Sequence, residues 1–165
     1  MNYSLKIPAI LLDQVHLDLD HPHHFAGERV GFLACKLAEV DSQVVLLGST
    51  YLPVSDAHYL PSATMGAVIS GAAFRVALQF SLKERCSILH VHRHDHLGIP
   101  TFSKVDLREY DKFIPDFWKV RPELPHGALL LSRNSAIGKI WSPEPPSPVP
   151  LVEIIVVGRT FQVWG

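Results

Sequence analysis

The chain has 165 residues, 47% of them hydrophobic and 19% charged, with a formal net charge of −1. This predicts one domain, 1–165, with a real core, and it excludes the basic footprint of a nucleic-acid binder. No apolar run reaches the roughly 18 residues of a membrane helix.

The opening Met1-Asn2-Tyr3-Ser4-Leu5-Lys6 lacks the charged-then-apolar order of a signal peptide, so a cytoplasmic protein is expected. Ser4 to Ile7 reads as a short strand. Pro8 suits a first helical position, and Leu11, Leu12, Val15 and Leu19 then recur at helical spacing. Asp20-His21-Pro22-His23-His24 ends that helix, since residues before proline avoid the α region. These histidines read as a polar connector, with metal ligation the less favoured role. Glu28 opens an apolar strand to Leu37. Val44 to Val54 reads as the next strand, bent at Gly48, and the short link Glu39 to Ser42 predicts an antiparallel hairpin.

Ser55 to Thr64 is a polar loop. Met65 to Arg85 reads as the main helix, with Ile69, Ala72, Ala73, Val76 and Phe80 as its apolar stripe and Gly66 among its close-packing small residues. Cys35 and Cys86 lie in apolar segments without C-x-x-C spacing and read as reduced core residues. A helix from Ser103 carries Leu107, Tyr110 and Phe113 and is expected to break or kink at Pro115. Gly127 to Ser132 and Ala136 to Trp141 read as paired strands. The Pro-rich stretch Ser142 to Pro150 reads as an extended connector, and Val152 to Val157 and Thr160 to Trp164 as final strands. The fold class is therefore α+β: a mixed, mainly antiparallel sheet with two main helices packed on it.

The chemistry concentrates in His90-Val91-His92-Arg93-His94-Asp95-His96, which follows the apolar segment Cys86 to Leu89. On a strand, His90, His92 and His94 share one face. Ser103 is a favoured helix N-cap and puts Asp106 in the first helical turn, where it faces back toward the strand end. Two imidazoles and a carboxylate make a usual catalytic zinc set with a fourth position open for water. Glu28 is the best candidate for a base acting on that water. The plain alternative for the histidines is a solvated loop tip, and for Glu28 a solvated strand end.

Glu28-x-x-Gly31 before an apolar strand, then His-x-His, then Ser103-x-x-Asp106, resembles the JAMM (MPN+) metalloprotease family over nearly the whole chain. The lead-in Gly98-Ile99-Pro100-Thr101-Phe102-Ser103 is similar to the prokaryotic, bacterial branch. The resemblance implies an MPN-like fold of cytidine-deaminase-like layout. It implies a zinc-dependent isopeptidase that hydrolyses the bond after the C-terminal tail of a ubiquitin or ubiquitin-like protein. The partners would be that protein or its conjugate, with E1-like and E2-like pathway proteins beside it. Zinc would be held by the His-x-His pair and Asp106, Glu28 would activate water, and Ser103 would steady the oxyanion.

The chain departs from the family pattern in two places. Asp95 stands after His94, or Arg93 after His92, where the family usually has proline. The interval from the first ligand histidine to the aspartate is usually thirteen positions; here it is fourteen from His92 and sixteen from His90. The smaller insertion favours His92 and His94, with His90 as the alternative and His96 in the loop. A non-catalytic MPN-like binding module is the second reading. A cupin-type dioxygenase, which wants a glutamate a few residues after its His-x-His, finds none between Leu97 and Phe102.

Overall fold

The computed structural model describes residues 1–22, 27–62, 66–143, 147–158 and 162–164. The chain runs β1 (Asn2–Pro8), α1 (Ala9–Leu19), β2 (Val30–Val40), β3 (Gln43–Pro53), α2 (Gly71–Glu84), β4 (Ser87–Arg93), α3 (Lys104–Phe117), β5 (His126–Leu131), β6 (Ala136–Trp141), β7 (Val149–Pro150), β8 (Glu153–Val157) and β9 (Gln162–Trp164). A 3-10 turn covers Asp56–His58. The nine strands form one sheet in the order β7-β6-β5-β4-β2-β3-β1-β8-β9. Strand β1 pairs in parallel with β3 and β8, and β4 with β5, while the remaining pairs are antiparallel. The α+β class with a mixed, mostly antiparallel sheet is as expected.

Among the described residues three helices cover this sheet, the expected first helix packing on it as well as the two main ones. Leu11, Leu12, Val15 and Leu19 of α1 bury against Leu5, Leu33, Leu46, Leu89 and Leu129 on one face. Helices α2 and α3 cover the other face, where Ala73 and Ala77 meet Phe32 and Ile88, and Tyr110 and Ile114 meet Ala128 and Leu130. Period-two alternation along β2, β4 and β5 separates the two cores.

The β2–β3 link is a two-residue turn at Asp41 and Ser42, both at positive φ (47° and 69°). A turn with positive φ at both central residues matches the twist of a hairpin. Beside Gly48 the register shifts between Ala34 and Cys35, and the Ser49 hydroxyl donates to the Ala34 carbonyl at 3.0 Å. The bend predicted there is a β-bulge.

Several boundaries differ from expectation. Pro8 closes β1 and serves as the N-cap, so α1 starts at Ala9. Strand β2 starts at Val30, which leaves Glu28 in the bend before it. Helix α2 starts only at Gly71, because the preceding segment bonds elsewhere. Leu60 N–H donates to Val68 O and Ser70 N–H to His58 O, and Ile69 bridges Tyr59. Backbone groups committed there are not available to a helix. The buried stripe of α2 is accordingly Ala73, Ala77 and Ser81, while Ala72 and Val76 are exposed.

Helix α3 continues through Pro115 to Phe117. Placed in the last turn, the proline removes only one late backbone bond. The end of the Pro-rich stretch is the short strand β7, paired with Lys139 and Ile140. His23 and His24, and the expected start of the last strand at Thr160, lie outside the described residues. Cys35 and Cys86 are free and buried, and burial pushes both thiols up. No helix among the described residues is long and apolar enough to cross a membrane.

Candidate metal centre

Strand register builds the site. In the antiparallel β2–β4 pair, Val30 stands opposite His92 and Phe32 opposite His90. Continuing that register two residues sets position 28 level with position 94. Along β4, Ile88 belongs to the core under α2, whereas Leu89 and Val91 belong to the core under α1. His90 and His92 share the Ile88 side, while Arg93 turns the other way and pairs with Asp20 beyond α1.

After β4, His94 N–H donates to Leu131 O at 2.9 Å and extends the ladder past the strand end. The following loop is fixed to the β5–β6 turn. Arg133 N–H donates to His96 O at 2.9 Å, and Gly98 N–H to Asn134 Oδ1 at 2.8 Å. Gly98 sits at φ 89°, a conformation that favours glycine.

The loop delivers Ser103 as the N-cap of α3. Its Oγ accepts the Asp106 N–H at 3.1 Å, and Asp106 Oδ2 accepts the Ser103 N–H at 2.7 Å. This reciprocal cap orients the Asp106 carboxylate. Its Oδ1 faces His92 Nε2 at 3.7 Å, and its Oδ2 faces His94 Nε2 at 3.9 Å.

Ligand atoms of His92, His94 and Asp106 all lie within 4.8 Å of one another. The nitrogen–oxygen separations are too long for hydrogen bonds. They approach the roughly 3.4 Å between neighbouring donors on a tetrahedral ion bound at about 2.0–2.2 Å. His92 Nε2 is buried and has no hydrogen-bond partner. An orphaned nitrogen facing a carboxylate across such a gap fits a cation between them, so this group could hold a metal ion.

The electrostatics suit ligation. Burial pushes the Asp106 carboxyl up, but the facing His92 ring and the Ser103 cap outweigh it and hold the group well below the usual carboxylate range. Burial, then His92, holds His94 below its ordinary value, which keeps its nitrogen unprotonated at neutral pH. The Tyr110 hydroxyl lies 2.9 Å from His92 Nδ1. Burial, with Asp106 and Glu28 adding, pushes that phenol far up, so it stays neutral. With Nε2 turned to the metal position, Nδ1 carries the ring proton and donates to the phenol oxygen.

His90 stands apart from this group. Its ring centroid is 6.0 Å from that of His92, and it packs among Phe32, Phe113 and Tyr110 at 5.3–5.5 Å. Burial, then His92, pushes its pKa down to about 3. His96 is exposed, with Nδ1 2.8 Å from its neighbour's carbonyl, Leu97 O.

Glu28 lines the same cavity as His92 and Asp106, and its charge acts on His94 and Tyr110. Its backbone N–H donates to Gly66 O at 2.9 Å. The next residue, Arg29, is buried. It bonds Asp56 at 2.7 Å and Val54 O at 3.4 Å, and its guanidinium lies 5.5 Å from the Tyr59 ring centre. Tyr59 in turn accepts the Val30 N–H at 2.9 Å and donates to Val30 O at 3.1 Å. The segment that carries Glu28 is thus fastened on both sides. Ser103 is exposed at the helix start, and its capping bond uses the oxygen as acceptor and leaves the hydroxyl proton to donate.

Sequence reasoning left Tyr110 and Gly66 without a role at this site. Tyr110 was recoverable, since it follows Asp106 by four residues on one helix and so shares its face. Gly66 carried no such signal, because its contact with Glu28 joins two distant loops.

No family model matches the sequence, and no curated protein matches it. Among solved structures, the Trichoplax adhaerens STIL N-terminal domain is similar at a TM-score of 0.38 and 12% identity. The likeness covers 82% of this chain and 40% of that one, and at that degree it brings no activity to this chain.

Proposed function

We propose that this chain is a zinc-dependent peptidase of the JAMM (MPN+) type, acting in the cytoplasm. Its fold would be MPN-like, in a cytidine-deaminase-like layout. The bond cleaved is the one after the C-terminal tail of a ubiquitin or ubiquitin-like protein, with E1-like and E2-like proteins in the same pathway. One observation carries this reading: the His92, His94 and Asp106 donors converge, and Glu28 lines the same cavity as two of them, His92 and Asp106.

Two imidazoles and one carboxylate are the donor types of a catalytic zinc with one open position. Zinc, when bound, lowers the pKa of water to about 7. Glu28 accepts the water proton and passes it to the leaving amine, a role worth about 10²–10⁴ in rate. Ser103 donates a hydrogen bond from its hydroxyl to the oxyanion, worth roughly 10²–10³. Tyr110 keeps His92 in the tautomer that offers Nε2.

The test is metal analysis after zinc reconstitution, with conjugate cleavage by the parent and by Glu28→Gln. The parent takes up about one zinc per chain, and Glu28→Gln keeps the metal while turnover falls by about 10²–10⁴. Failure to take up zinc overturns the reading. Zinc uptake with conjugate binding but no cleavage makes the chain the non-catalytic MPN-like module instead.

A further inference from the structure

A cluster of charged and phenolic groups that the proposed chemistry does not use begins one residue after Glu28. Arg29 is only 7% exposed. Its Nη1 donates to Asp56 Oδ1 at 2.7 Å, and its Nη2 donates to Val54 O at 3.4 Å. The same Nη2 lies 3.7 Å from Asp18 Oδ1 on α1. The other Asp18 oxygen accepts the Tyr51 hydroxyl at 2.7 Å. One guanidinium thus joins α1 to the segment that follows β3.

Alternation along β2 builds this arrangement. Val30 and Phe32 belong to the core under α2, and Leu33 to the core under α1. Gly31 therefore falls on the α1 side. A Cβ there would collide with the hydroxyl and ring of Tyr51. Tyr51 stands opposite Leu33 in the β2–β3 pair, so Gly31 is its diagonal neighbour, within reach of an aromatic side chain. The ring takes the space that a side chain at 31 would fill, and its hydroxyl meets Asp18. The three-residue spacing of Glu28 and Gly31 acquires a physical meaning in this way.

We propose that Arg29 is a positioning residue for Glu28, and that Asp18 and Asp56 hold its guanidinium from two sides so that the preceding carboxylate keeps its place beside His92 and Asp106. The inference rests on the peptidase reading, in which Glu28 is the base.

Stability is a poor account of the cluster. Replacing a buried ion pair by apolar residues of similar volume is often neutral or stabilising. What the cluster supplies is direction. A planar fork meets several acceptors at fixed angles, which a lysine ammonium does not. A base has to meet its water within a fraction of an ångström, so the residue bonded to it is where such a hold is useful.

The experiment compares the parent full chain with Arg29→Lys and Asp18→Asn. The first keeps the charge and loses the fork. The second keeps an acceptor for Tyr51 and loses the charge facing Arg29, and it carries the test if the first does not fold. Amide hydrogen exchange of the metal-free proteins is read by NMR. The Glu28 amide should exchange about 2–10-fold faster in either variant, as loss of one net interaction gives, with a smaller change or none at Leu89 and Leu129 in the centre of the sheet. Equal acceleration at all three amides, or none at Glu28, overturns the proposal. Steady-state cleavage of a fluorescent lysine-linked ubiquitin conjugate is the second readout. In Arg29→Lys kcat should fall about 10–100-fold, the scale of a reacting group misplaced by up to about 1 Å, while KM and zinc affinity stay parental. A raised KM at parental kcat also overturns the proposal. Failure of the parent to take up zinc overturns the peptidase reading instead, and the exchange rates then decide by themselves whether Arg29 holds position 28.

Discussion

The Tyr110 hydroxyl lies 2.9 Å from Nδ1 of His92, while Nε2 of the same ring faces Asp106 at 3.7 Å. One imidazole is therefore held between a phenol and a carboxylate, and both partners come from α3, four residues apart. Tyr110→Phe removes only the oxygen. Metal affinity is expected to fall about 10–100-fold, since the ring loses the partner that fixes its tautomer and orientation. Stability should drop by about 1–3 kcal/mol, because Nδ1 becomes a buried unpaired donor. Zinc titration against a competing chelator reads the first effect. An unchanged affinity would make the contact mere packing.

Ligand identity separates on neighbouring histidines. His94→Ala takes away one of the three convergent donors and should abolish stoichiometric metal uptake. His90→Phe keeps a ring of similar size among Phe32, Phe113 and Tyr110, and should leave uptake intact. Metal analysis of the two purified variants decides. Retention by the first and loss by the second would move the ligand set one step back along β4.

His126 predicts a pH dependence of stability. It is fully buried and stacked on Phe117 at 5.1 Å, and its Nδ1 accepts the Ile88 N–H at 3.1 Å. Burial pushes its pKa down to about 4 from 6.5, with the nearby Arg121 backbone opposing in part. As pH falls below 6.5 the unfolded chain takes up this proton before the folded one does. Stability is then lost between about pH 6.5 and 4, by about 3 kcal/mol from this group. Urea midpoints across that window measure the loss, and NMR titration assigns it. Titration of His126 near 6.5 in the folded protein would refute the account.

The sequence made legible what local rules control. Alternation along Ile88 to His92, the Leu11, Leu12, Val15 and Leu19 spacing of α1, and the Ser103–Asp106 cap are each settled within a few residues. Which histidines share the carboxylate was only partly legible. Strand parity placed His90, His92 and His94 on one face, but Asp106 reaches only the two nearest the strand end. The start of α2 was illegible because Val68 and Ser70 bond to residues 58–60, a pairing that no helical periodicity records. Gly66 was hidden for the same reason.

Gly66 gives the last prediction. Its carbonyl accepts the Glu28 N–H at 2.9 Å, and a Cβ added to it would lie 2.6 Å from Glu28 Oε2. The bare Cα therefore makes room for the carboxylate. What must move in Gly66→Ala is the carboxylate of Glu28, a shift harmful to a base that has to meet its water. Stability should change by less than about 1 kcal/mol, because alanine also reduces the freedom of the unfolded chain. Zinc affinity should be unchanged, since Glu28 is not among the convergent donors. Turnover should fall by as much as about 10²-fold, the scale expected when a reacting group is misplaced by about 1 Å. The loss should appear in kcat and not in KM. The measurement is steady-state cleavage of whichever conjugate the parent protein hydrolyses, beside chelator competition and urea unfolding of the same preparations. Parental turnover in Gly66→Ala would mean that Glu28 does its work from a position this glycine does not guard.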